Sequence, residues 1–133
     1  MSKYGIGQPV LRFEDPRLLR GQGRYTDDIN LPNQAYAYIL RSSIAHGRIK
    51  SVGTDAAKAM KGVLAIYTGE DLKQYGTIQS ALPFKSRDGS DMKKPKRPAL
   101  PTDKVRFVGD PIACVIAETV AQAKDAAEAV VAD

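Results

Sequence analysis

The apolar positions of this chain change their spacing along its length, and the changes mark its elements. Pro111–Ala117, PIACVIA, is an unbroken apolar run bounded by Gly109-Asp110 and Glu118. A run this short, β-branched and flanked by turn residues predicts a buried strand. VLAIYT, residues 63–68, repeats the pattern and predicts another. QAYAYILR, from Gln34 to Arg41, has the aromatic and β-branched content of a strand, and Arg48–Val52 alternates enough to predict one more. VRFVG, residues 105–109, predicts a strand separated from PIACVIAE by Gly109-Asp110-Pro111. Proline has no N–H to give a ladder, so a bend or bulge is expected there.

Elsewhere the spacing is helical. Val120, Ala123, Ala127 and Val130 fall on one face, and Thr119 with Gln122 makes a T-x-x-Q capping box. Ala123, Ala126, Ala127 and Ala129 keep that face shallow, which allows close approach to a sheet. TDAAKAM, residues 54–60, predicts a helix with Thr54 or Asp55 at its start and Gly62 just past its end. Thr68-Gly69-Glu70-Asp71 resembles a capping box opening a short helix, EDLKQY, that Gly76 closes. Thr77 to Asp103 is polar and proline-bearing, a loop insertion. VVAD at the end reads as the beginning of a further strand, so the chain is expected to be a split-gene subunit or a piece of a longer one.

Residues 1–33 carry little periodicity. GIGQPV, EDPRLL, GQGRY and LPNQ read as an extended arm with turns, followed by one α+β domain over residues 34–133, with its basic loop at about 77–103. The arm holds Phe13, Leu18, Leu19, Tyr25, Ile29 and Leu31, too few apolar groups to fold alone. It is expected to lie along a neighbouring surface, with Phe13, Leu18, Leu19 and Tyr25 at the interface. Self-association of the chain is another way to cover them.

Composition narrows the field. With 133 residues, 43% apolar and 26% charged, the chain is ordinary for a soluble domain. Its longest apolar run falls far short of the roughly 20 residues a membrane-crossing helix needs. No secretory leader is legible in MSKYGIGQPVLRF, so a cytoplasmic location is expected. The net charge of +5 is unevenly spread: residues 85–106 hold 8 basic against 3 acidic groups, and residues 107–133 hold 1 against 5. KSRDGSDMKKPKRP, residues 85–98, is the densest basic patch. It contains no aromatic residue for base stacking and is broken by Asp88, Gly89, Asp91, Pro95 and Pro98, which argues against nucleic acid. Lys93, Lys94, Lys96 and Arg97 are instead candidates for meeting an anionic partner, and a stand-alone module acting through residues 85–97 is the alternative reading of the whole chain.

Candidate chemistry is sparse. The single cysteine, Cys114, lies within the apolar run, where it is expected to pack as a small hydrophobe. The single histidine, His46, sits in RSSIAHGRI, residues 41–49. One His and one Cys do not make a zinc site of the usual kind. There is no G-x-S-x-G, no Walker motif, and GIG and GQG lack the third glycine and preceding strand of a dinucleotide fingerprint. Asp27-Asp28 and Glu70-Asp71 are more simply read as structural pairs. No catalytic, cofactor-binding or metal-binding residue is assigned.

Four segments in order carry a resemblance: GIGQPVLRFEDPRLLRGQGRYTDDINLP (5–32), RSSIAHGRIKSV (41–52), GVLAIYTGEDL (62–72) and KVRFVGDPIACVIAET (104–119). Together they resemble the N-terminal α/β hammerhead domain of the large subunit of molybdenum hydroxylases, the xanthine dehydrogenase and aldehyde oxidase superfamily. The opening arm is most similar to the aerobic carbon monoxide dehydrogenase type. The resemblance implies a single α/β hammerhead domain with a mixed sheet and two or three helices behind the extended arm. It implies an oxidoreductase whose molybdopterin cytosine dinucleotide is held by later parts of the large subunit, with 2Fe-2S clusters and FAD in iron-sulfur and flavin partner subunits. It also implies that the chain alone is inactive. The stretch from Ser42 or Ser43 to Ile49 then belongs to scaffold, with His46 expected to hydrogen-bond at a strand connection between Arg41 and Arg48.

Overall fold

Strand β6 (Pro111–Ala117) is the centre of the fold in the computed structural model, which describes residues 6–7 and 9–133. The first residues of the predicted arm, Met1–Gly5 and Gln8, lie outside the described residues. Strands β1 (Tyr36–Arg41) and β4 (Val63–Thr68) flank β6 in a three-stranded sheet of order β1-β6-β4. Ile112, Ala113, Val115 and Ala117 of β6 are buried. Val115 stands opposite Tyr38 on one side and Ile66 on the other. The expected disturbance at Pro111 is present: the pairing slips between Leu40 and Arg41, where Arg41 faces Pro111.

The segment predicted as one strand, Arg48–Val52, is two. β2 (Gly47–Arg48) pairs with β5 (Lys104–Val105), and β3 (Val52–Gly53) pairs with β7 (Val131–Ala132), the strand foreshadowed by VVAD. The backbone stays bonded between them because its partner changes: Ile49 N–H donates to Asp103 O at 3.0 Å and Lys50 N–H to Asp133 O at 2.7 Å. The sheet expectation is corrected in the same way. Every registered strand pair among the described residues is antiparallel, in three small sheets and not one mixed sheet. The α+β class stands, with three α-helices among the described residues.

Helix α3 (Val120–Glu128) lies on one face of the sheet, its Ala123, Ala126 and Ala127 buried. Ala126 and Ala127 meet Ala113, Val115 and Ile66, with Val130 and with Ala57 of the one-turn helix α2 (Asp55–Lys58). Alanine on the helix and small residues on β6 let the backbones approach closely, so the core is tight although few of its side chains are large. Val120 was expected on this face and is exposed instead; it opens the helix one turn before the packed stretch. Thr119 Oγ1 caps α3 by accepting from Gln122 N–H at 3.2 Å, and the Thr119 hydroxyl donates to Gln122 Oε1 at 3.0 Å. Gly62 follows α2 with φ +81°, a conformation few other residues adopt cheaply.

After β4 the chain makes only a 3-10 turn, Lys73–Tyr75, where an α-helix was expected. Tyr75 is exposed, so lengthening the turn would bury nothing. The cap itself forms: Asp71 Oδ2 accepts from Thr68 N–H at 2.7 Å and from the Thr68 hydroxyl at 2.8 Å. The chain divides into two units, residues 1–32 and 33–133. Within the first, helix α1 (Asp15–Leu18) carries Pro16 in its first turn and is followed by a 3-10 turn, Thr26–Asp28. Arg12 pairs with Asp15 at 2.8 Å and Arg17 with Glu14 at 2.6 Å.

Candidate functional site

RSSIAHGRI turns out to be a structural clasp, and histidine is not its working residue. Ser42 is buried directly after β1. Its N–H donates to Asp110 O at 2.9 Å, and its carbonyl accepts from Gly109 N–H at 2.8 Å. Arg41 Nη1 adds a bond to Gly109 O at 2.9 Å. The Ser42 hydroxyl donates to Ile44 O at 2.8 Å and accepts from Ile44 N–H at 3.0 Å, closing the turn on itself. The buried carboxylate of Asp110 accepts from Arg106 N–H at 2.9 Å, so it shapes the turn that leads into β6. His46 is exposed and, among the described residues, makes no hydrogen bond, which corrects the expectation that it bonds at this connection. The local serine bonds already satisfy the turn and leave the imidazole facing solvent.

Neither His46 nor Cys114 fits a metal centre. Among the described residues no three of His, Cys, Asp and Glu converge on a common point. Cys114 stands in mid-strand opposite Ile39 and Tyr67, half-buried, and burial pushes its thiol above the ordinary cysteine range. A thiol kept protonated is a poor ligand and a poor nucleophile.

What the structure does offer is surface. Opposed residues of neighbouring strands share a sheet face, and successive residues alternate between faces. The face opposite Val115 therefore carries two cross-strand rows, Ile39–Cys114–Tyr67 and Ala37–Ile116–Ala65. No charged side chain interrupts them, and Tyr67 is 42% exposed. This half-open apolar face was not foreseen. The unbroken apolar character of PIACVIA, which requires cover on both sides, was the available signal. In residues 1–32, Phe13, Leu19 and Tyr25 are exposed, while Leu18 is half-buried.

The loop from Thr77 to Asp103 folds back on itself. Ile78 N–H donates to Arg97 O at 2.9 Å, Met92 N–H to Phe84 O at 3.3 Å and Ser86 N–H to Ser90 O at 2.8 Å. At the tip, Asp88 accepts from the Ser90 hydroxyl and N–H, and these bonds hold its carboxyl below the usual range. Lys85 pairs with Asp91 at 3.2 Å. Lys93, Lys94, Lys96 and Arg97 are exposed, and among the described residues none of them forms an ion pair. The returning leg is anchored where Gly69 is buried: a Cβ there would strike the carbonyl of Pro101. Beside this leg a cavity of about 410 Å³ opens between Lys96, Arg97 and Phe107.

Residues 20–133 match the family model "Aldehyde oxidase and xanthine dehydrogenase, a/b hammerhead domain". The chain is 41% identical over 130 residues to the carbon monoxide dehydrogenase large chain of Hydrogenophaga pseudoflava, covering 98% of this chain and 15% of that one. Among solved structures, quinoline 2-oxidoreductase from Pseudomonas putida 86 superposes with a TM-score of 0.82 at 34% identity, covering 99% of this chain and 16% of that one. A Cu,Mo-CO dehydrogenase superposes at 0.75 with 36% identity, covering 97% and 15%. No helix among the described residues is long and apolar enough to cross a membrane. The chain spans about 15% of the length of these relatives, and it belongs to the aldehyde oxidase and xanthine dehydrogenase a/b hammerhead domain family.

Proposed function

We propose that this chain is a mounting domain of a molybdenum-dependent hydroxylase, binding neighbouring polypeptides and leaving catalysis to them. The observation that carries the reading is uncovered apolar surface: Phe13 and Leu19 in residues 1–32, and the two rows of the open sheet face. Burying such side chains against a partner is worth about 1.5–3 kcal/mol each, so they favour association strongly. No three of His, Cys, Asp and Glu converge among the described residues, which supports assigning them no catalytic step in this reading. In this reading the molybdopterin cytosine dinucleotide belongs to the rest of the large subunit. Iron-sulfur and flavin subunits complete the electron path, in the cytoplasm.

Affinity capture tests the proposal. A tagged form of this chain, co-expressed with the remaining large-subunit polypeptide, is expected to retrieve it. The pair Phe13→Asp and Leu19→Asp should weaken the association at least about a hundredfold, a loss of about 3 kcal/mol or more, while the circular dichroism spectrum stays unchanged. Full recovery by that variant would count against a docking role for the arm.

A further inference from the structure

The geometry points to a docking groove for an acidic, extended polypeptide segment, lying between residues 95–98 and the connection from β5 to β6. Its walls are stiff and apolar. Pro95 and Pro98 line the groove with Phe107, whose ring is 57% exposed, and proline fixes its own backbone torsion. A cavity of about 410 Å³ suits one apolar side chain and its flanking backbone.

Its charge is one-sided. Lys96, Arg97 and Arg106 all reach the groove, within a stretch, residues 85–106, that carries 8 basic and 3 acidic groups. The one carboxylate in the lining, Asp110, is buried and accepts from Arg106 N–H; it offsets one of the three lining cations, Lys96, Arg97 and Arg106, and leaves the groove net positive. Arg106 itself is partly engaged by Asp103 at 3.3 Å, which leaves Lys96 and Arg97 as the groove-lining cations with no ion pair among the described residues. A basic rim around an apolar floor selects carboxylates flanking one apolar anchor. Nucleic acid fits less well, because a single ring cannot form a stacking platform.

This inference deepens the reading of the loop as an interface, and its test is separate from affinity capture through the arm. The probe is a short fluorescein-labelled peptide of alternating glutamate and proline around a central leucine, added to the full chain and followed by polarisation. It is expected to bind, and binding should weaken as salt rises. The double variant Lys96→Glu with Arg97→Glu should weaken it about tenfold or more. Phe107→Ala should weaken it several-fold, whereas Lys124→Glu on α3 should leave it unchanged. Absence of binding at low salt overturns the proposal. So does undiminished binding by Phe107→Ala, equal loss in Lys124→Glu, or displacement of the peptide by an oligothymidine of equal charge. If arm variants retain full partner recovery while the peptide binds as described, the docking role of the arm fails and the groove stands.

Discussion

Asp71 shows how a single exposed carboxylate can stabilise a connection. The Thr68 backbone N–H, and then the Thr68 hydroxyl, hold its carboxyl below the usual range against a smaller opposing effect of desolvation. Because the folded value is lowered, the stabilisation is fully present above the ordinary carboxylate pKa of about 3.9 and is lost as pH falls through the folded value. Asp71→Asn should therefore be less stable than the parent at neutral pH, with the gap closing below about pH 4. Denaturant melts across that range check this, and a gap independent of pH would contradict it. Thr68-x-x-Asp71 was legible beforehand because the bond is local. The clasp of Ser42 on Gly109 and Asp110 was not, since its partners are far apart in the chain and only the slipped register at Pro111 brings them together. His46 drew attention for its chemistry, yet the serine four residues before it does the bonding.

At the scale of elements, α3 and β6 account for most of the core. Their patterns were readable because a solid apolar run and an alanine stripe each permit few arrangements. The same closeness makes the stripe intolerant of bulk. Ala127 is fully buried, and Ala127→Leu should cost roughly 1–3 kcal/mol through overpacking, measurable as a lowered denaturation midpoint. A neutral result would mean that the helix stands further from the sheet than its packing indicates. The elements misjudged from sequence are the short ones. Arg48–Val52 divides because its partner changes from residues 103–105 to 131–133, a fact of topology that alternation cannot encode. EDLKQY stops at a 3-10 turn for want of a surface to pack on.

The whole molecule is a small core with more apolar surface than it can cover. Its sheet is closed on one face by α3 and half-open on the other, and Phe13, Leu19 and Tyr25 are exposed in residues 1–32. Sequence resemblance anticipated the family, and the open face supplies a physical reason for the proposed mounting role. Molybdenum analysis of the purified chain tests that division most directly. The chain should be produced in cells that assemble the pterin cofactor, once alone and once with the remaining large-subunit polypeptide. A mounting domain should carry only background metal alone, and the complex should carry a stoichiometric amount. Stoichiometric molybdenum on the isolated chain would contradict the account.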